Sequence, residues 1–292
     1  MIQKRTFSSN LFDILNYTLL IILSIACFYP IYHVAVASLS NGNDLLAHSG
    51  ILLKPINLTL EGYKSVFRNP MILTGYRNTL FIVIIGTFLN IVMTSLAAYA
   101  LSRRSVTYRK ALTLLIVFTM YFSGGLIPSY LVVKSIKLAD TLWALILPGL
   151  ISTTNFLIMR TSFEAIPESL SESARIDGAN DLHILFRIVL PLSKPVIAVM
   201  VIYYGVSHWN AWFNAMIYLR QRELFPLQLV LREILMQDQT AGMISGNIME
   251  MNSVAETLKY ATIMVATIPI LCVYPFVQKY FAKGVMIGAV KG

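Results

Sequence analysis

The chain has 292 residues, of which 57% are apolar and only 13% charged, against roughly 45–50% and about 25% in ordinary soluble domains. That balance excludes a soluble globular fold and points to one membrane domain across residues 1–292. The net charge of +9 follows from the topology drawn below, and nucleic acid is not an expected partner. Stretches of about 20 apolar residues fall at 14–38, 78–101, 111–133, 141–159, 195–217 and 257–281. They predict an all-α, polytopic membrane protein with six transmembrane helices.

The first stretch is too long for the apolar core of a signal peptide and reads as a retained span with no cleaved leader. Residues 39–77 then form an outer loop. Arg103-Arg104 closes the second span and Arg109-Lys110 opens the third. This tight basic cluster sets the orientation, because basic residues near span ends stay on the cytoplasmic side. Both termini and the segment 164–193 are then cytoplasmic. Gly124-Gly125 with Pro128 in the third span, and Pro148 in the fourth, predict kinks that are either fixed features of packing or hinges. Cys27 and Cys272 sit inside the first and sixth spans without metal-ligand spacing and read as packing residues.

Between the fourth and fifth spans, residues 164–193 are polar and patterned as two short helices. Pro167 opens the first, which runs through Glu168, Glu172 and Arg175 at helical spacing. Gly178 stops it. Asn180 or Asp181 caps the second, which carries Leu182, Leu185, Phe186 and Val189 on one stripe before Pro191. Glu164, Glu168, Glu172, Asp177 and Asp181 outnumber Arg175 and Arg187. Anionic lipid would repel that excess, so the segment reads as a docking surface for another protein rather than as a helix lying on the inner leaflet.

The fifth span carries Ser207-His208-Trp209-Asn210-Ala211-Trp212-Phe213-Asn214. At 1.5 Å per residue, His208 lies about 21 Å beyond Lys194, past the midplane. His208, Asn210 and Asn214 either face a translocation path or its outer gate, or hold helices together. Trp suits the outer interfacial belt in both cases. A second outer loop, 218–256, mixes Arg220, Arg222, Glu223, Arg232 and Glu233 with apolar groups and reads as structured.

The chemistry available to such a chain is narrow. It has no H-E-x-x-H, no intramembrane Asp pair and no G-x-S-x-G, so no catalytic residue or metal site is expected. A G-x-x-x-x-G-K-[ST] loop is absent too, so ATP is not expected to bind here by that route. Ion-coupled carriers keep an acid or base near the midplane, and no predicted span has one at its centre. Transport driven by a partner ATPase is therefore favoured over the alternative of an ATP-independent secondary transporter or channel.

Glu172-Ser173-Ala174, three residues, Gly178, nine residues, then Ile188-Val189-Leu190-Pro191 resembles the E-A-A, three, G, nine, I-x-L-P signature of permease subunits in bacterial type I ABC importers. Only Ser173 departs, as another small residue. Asp177-Gly178-Ala179, Phe186 before Ile188, and the ending Val290-Lys291-Gly292 resemble the carbohydrate-uptake, maltose-transporter-like branch, and the likeness runs on from about Tyr76. The ending at 279–292 looks most like subunits that import oligosaccharides released from complex polysaccharides or glycans.

The resemblance implies a permease without a cofactor of its own in the bacterial plasma membrane. Its partners would be a second homologous permease, two cytoplasmic P-loop ATPase subunits holding ATP and Mg, an extracytoplasmic sugar-binding protein, an oligosaccharide substrate and membrane lipids. It places ATPase coupling on Glu172, Ser173, Ala174, Asp177, Gly178, Leu182 and Phe186. Glu172 would face a basic group, Gly178 would allow the bend, and Ala174, Leu182 and Phe186 would fill a cleft. The tail 282–292, with Gly288, Lys291 and Gly292, would extend toward the ATP site. Loop 218–256 would touch the binding protein or pack on the partner permease.

Overall fold

The structure is a computed structural model that describes residues 7–241, 256–273 and 275; among them there is no strand. The helices are α1 (Phe7–Ala37), α2 (Gly42–Ala47), α3 (Glu61–Arg68), α4 (Pro70–Ser102), α5 (Arg109–Tyr121), α6 (Leu126–Ser135), α7 (Thr153–Glu164), α8 (Glu168–Ile176), α9 (Asp181–Ile184), α10 (Leu190–Leu192), α11 (Lys194–Trp209), α12 (Phe213–Tyr218) and α13 (Leu227–Ala241). A last helix, α14, covers Glu256–Val273. Three helices are long and apolar enough to cross a membrane, Asn10–Ala37, Pro70–Ser102 and Glu256–Val273, and three bent pairs raise the number of crossings to six.

Two of the bends fall where Gly124-Gly125 with Pro128, and Pro148, predict kinks. Residues 111–133 break into α5 and α6 at 113°, where Gly125 takes φ +83. Residues 141–159 begin as 3₁₀ turns, Leu142–Leu145 and Leu147–Gly149, and turn by 49° into α7; Pro148, with no N–H to donate, interrupts the ladder. Residues 195–217 form α11, a break at 210–212, and α12. The first loop also ends earlier than expected, because α4 already starts at Pro70.

The described residues fall into two compact units, the first drawn from Met1–Asn69 and Glu233–Thr267, the second from Pro70–Arg232 and Ile268–Gly292. In the first, the end of α1 and the following loop are sewn together. The Tyr32 hydroxyl donates to Leu53 O at 2.7 Å, Ile56 N–H donates to Ser40 Oγ at 3.2 Å, and Val36, Ala37 and Leu52 form a small core. At Gly62 of α3 an added β-carbon would stand 2.8 Å from Thr257 Cγ2 of α14, so only glycine permits this approach.

The second unit is built on α4, 33 residues and therefore about 50 Å long. It packs along α7 and α11. Their shared core includes Ala98, Tyr99, Leu101, Phe156, Met159, Ile184, Leu185, Val189, Met200 and Tyr204. Arg160 seals the end of α4, where helix carbonyls lack intrahelical partners. Its Nε donates to Leu101 O at 3.1 Å, and its Nη2 pairs with Glu164 Oε1 at 2.7 Å. Cys27 and Cys272 are exposed on their helices rather than packed.

Candidate docking and translocation sites

The docking segment is assembled by local chemistry. Pro167 is the N-cap of α8, with Glu168 in its first turn and Arg175 in its last, charges that suit the helix dipole. Gly178 ends the turn at φ +83, a left-handed conformation that disfavours residues carrying a β-carbon. The neighbouring N–H of Ala179 donates to Ala174 O at 2.9 Å. Asn180 then caps α9, its Oδ1 accepting from His183 N–H at 2.8 Å. The stretch Asp181–Leu192 meets α11 at 87°.

The stripe expected of Leu182, Leu185, Phe186 and Val189 splits. Leu185 and Val189 are fully buried, whereas Leu182 and Phe186 are 57% and 52% exposed. At 100° per residue Leu185 and Val189 form one edge of the stripe and Leu182 and Phe186 the other, and only the first edge meets the core; Leu185–Val189 is wound as a π-helical turn. Ile176 adds a third outward apolar group at 87% exposure. Glu172, Ser173, Asp177 and Gly178 are exposed beside them, while Ala174 is half-buried and packs on the core beneath. The Arg175–Asp181 pair, 2.9 Å apart, links the two short helices, and the guanidinium hydrogen bond holds the Asp181 carboxyl below its usual range.

Within the spans, Asn90 of α4 is fully buried. Its Nδ2 donates to Gly149 O and Leu150 O, both at 2.8 Å, satisfying carbonyls freed by the break before α7. This fixes the amide orientation, so Oδ1 accepts from the Nε2–H of His208 at 2.7 Å. His208 lies over Gly86, where an added β-carbon would stand 2.7 Å from Nε2. One turn further along α4, the Thr94 and Tyr204 hydroxyls meet at 2.7 Å, and Ser152 N–H donates to the Tyr204 oxygen at 3.1 Å. The structure therefore joins His208 to Asn90 and not to Asn210 and Asn214, which are exposed, the first in the break after α11 and the second in α12.

The far end of α4 holds a loop. Asn78 Nδ2 donates to Glu223 O at 2.7 Å and Phe225 O at 3.1 Å, and Thr79 Oγ1 accepts the N–H of Leu227, the first residue of α13, at 2.8 Å. Nearby, Asp140 clips the turn before the fourth span to the same loop, its Oδ1 accepting Arg220 N–H at 2.9 Å and Gln221 N–H at 3.0 Å. The two backbone donations, Arg220 first, hold its carboxyl below the ordinary aspartate range. Among the described residues no group of His, Cys, Asp and Glu is placed to hold a metal.

Residues 90–287 match the family described as binding-protein-dependent transport system inner membrane component. The chain belongs to that family. This permease is 44% identical over 288 residues to the polygalacturonan/rhamnogalacturonan transport system permease protein YtcP of Bacillus subtilis, covering 97% of this chain and 99% of the relative. It is 41% identical to protein LplC of the same organism, over 99% and 98% of the two chains. Its fold matches a crystal structure of a bacterial ABC transporter involved in the import of the acidic polysaccharide alginate, with a TM-score of 0.86 and 33% identity over 95% of this chain and 99% of that one. The permease is thus a membrane protein of the sugar-transport type with the six-span all-α fold.

For this permease, sequence reasoning singled out the docking residues but passed over Asn90, Tyr204, Tyr99, Asn78 and Thr79. The available signal was a run of polar groups within the second span, Asn78, Thr79, Thr87, Asn90, Thr94 and Ser95, since polar side chains in a span bond between helices. Gly288, Lys291 and Gly292 lie outside the described residues.

Proposed function

We propose that this permease pairs with a second, similar permease to form the path of an ATP-driven importer, receiving an oligosaccharide from an extracytoplasmic binding protein. The whole chain serves as one membrane domain in the bacterial plasma membrane, with both termini inside. Segment 164–193 docks on two cytoplasmic P-loop ATPases that hold ATP and Mg, the tail 282–292 extends toward them, and loops 39–69 and 218–256 face out.

The observation that carries the reading is the docking segment itself. Ile176, Leu182 and Phe186 are exposed next to Glu172, whose side chain has no hydrogen bond or ion pair among the described residues, on two helices turned at a left-handed Gly178. Exposed apolar groups suit a protein cleft better than water, and a cleft that also takes the Glu172 carboxylate must supply a basic partner. Pairing with a second permease is supported by the 122–125 break, about 20 Å along α5. Its residues are exposed, and non-helical backbone at membrane depth requires cover by protein or a water-filled cavity. We assign Asn210 and Asn214 to the path or its outer gate, and His208 to holding α11 on α4. The relatives' polygalacturonan/rhamnogalacturonan and alginate make an acidic oligosaccharide the first substrate to test.

The test is labelled-oligosaccharide uptake in cells that depend on this chain. Glu172→Lys and Gly178→Trp are expected to abolish uptake while both proteins stay inserted, since a β-carbon at Gly178 meets nothing within 4 Å. Unchanged uptake in both variants would sink the docking reading. Uptake by this chain alone under an ion gradient would replace it with a secondary transporter.

A further inference from the structure

Tyr99 lies in the last turn of α4 and Arg103 directly follows the helix. From there a continuous set of contacts reaches both docking helices. Arg103 Nη1 donates to Ser171 Oγ of α8 at 2.8 Å. Its guanidinium lies 4.2 Å over the Tyr99 ring. The Tyr99 hydroxyl donates to Asp181 Oδ1 of α9 at 3.3 Å, the same oxygen that Arg175 of α8 holds at 2.9 Å. Ser171 is buried, so the first of these bonds is partly shielded from water. Movement of either docking helix therefore pulls on the last turn of α4.

The other end of α4 is clamped as firmly. Asn78 and Thr79 bind three backbone groups of residues 223–227. At Gly75 an added β-carbon would stand 3.1 Å from Leu227 Cα, so helix and loop are in backbone contact there. Between the clamps the helix runs without a break from Pro70 to Ser102. It is the one span of the second unit, among the described residues, that is not a bent pair.

We propose that α4 is a strut linking the docking segment to the loop at 219–227, with Tyr99 and Arg103 as positioning residues of its inner clamp and Asn78 and Thr79 as those of its outer clamp. The ligand events at the two ends are ATPase closure and contact with the binding protein, so this inference rests on the docking reading above. A helix stiff over its whole length, pinned by hydrogen bonds at both ends, carries a displacement of one end to the other without any group on it reacting. Coupling of this kind is established by energetic dependence between the ends and not by position alone.

The experiment uses the complete reconstituted complex, with both permeases, the ATPases and the loaded binding protein. Tyr99→Phe removes one hydroxyl and keeps the ring under Arg103; Thr79→Val removes one acceptor at constant shape. Each is expected to leave assembly and basal ATP hydrolysis in place and to cut the stimulation by binding protein about fivefold, the effect of one hydrogen bond. The double variant is expected to fall no further than the worse single one, because both act on one element. Full stimulation in both single variants, or losses that multiply in the double variant, would overturn the strut. Should Thr79→Val fail to assemble, Tyr99→Phe decides in its place: lost stimulation with basal hydrolysis intact supports the inner clamp, and normal stimulation overturns it. A wild-type chain that retains no ATPase would overturn the docking reading itself, and the strut with it; a retained ATPase with unaltered stimulation would remove the strut alone.

Discussion

The breaks at 122–125 and 149–152 were both signalled by helix-breaking residues, yet they are built in opposite ways. At the second, three backbone groups of the interruption meet side chains from elsewhere. Asn90 takes the Gly149 and Leu150 carbonyls and Tyr204 takes the Ser152 N–H. At the first, residues 121–129 are exposed, and among the described residues the bend is held by local contacts: Ser129 Oγ donates to Gly125 O at 2.8 Å, and Phe118 stacks on Phe122 at 4.2 Å. The difference teaches that a kink within a span is fixed by who satisfies its freed backbone groups, not by the residue that causes it. One break is locked by α4 and α11. The other is left for a partner or for movement.

Variants that remove the lock should separate the two breaks most widely. Asn90→Leu leaves two carbonyls and the His208 N–H without partners and is expected to lower stability by about 2–4 kcal/mol, read from thermal unfolding in mild detergent. Gly86→Ala places a β-carbon 2.7 Å from His208 Nε2 and should cost about 1–3 kcal/mol through overpacking. Tyr204→Phe frees the Thr94 hydroxyl and the Ser152 N–H and should cost about 1–2 kcal/mol. At the open break, Gly125→Ala meets no atom within 4 Å but carries φ +83 with ψ 178, so about 1–3 kcal/mol is expected from backbone strain alone, with a larger effect on transport than on unfolding. A loss at Gly125 as great as that at Asn90 would erase the contrast.

The smallest effect belongs to the Asp140 clip. Its carboxyl is held low by the Arg220 and Gln221 N–H groups, so the clip's contribution is present above the unfolded value near pH 4 and is lost as pH falls through the still lower folded value. Protease cleavage in the loop after Arg220 should therefore rise only below about pH 4, and Asp140→Asn should abolish that dependence.

The sequence exposed what local chemistry decides. Pro167, Gly178 and Asn180 are breakers and caps, and the docking helices end where those residues put them. Gly124-Gly125 and Pro148 showed where two spans bend because the cause sits in the bent residue itself. The partners of a bend are another matter. Asn90 lies 59 residues before Gly149 and 118 before His208, and nothing in the spacing of a single chain joins them. The outward turn of Leu182 and Phe186, away from Leu185 and Val189, was hidden for a similar reason. Which edge of that stripe meets the core is decided by residues far away in the chain, and hydrophobic periodicity carries no mark of it.

The central claim is that segment 164–193 binds an ATPase, and affinity purification of the chain in mild detergent, with mass spectrometry of what accompanies it, tests that claim directly. The wild-type chain is expected to bring down a second permease and a P-loop ATPase, and Gly178→Trp to bring down the permease without the ATPase. Equal recovery of the ATPase with both forms, or with neither, would contradict the account.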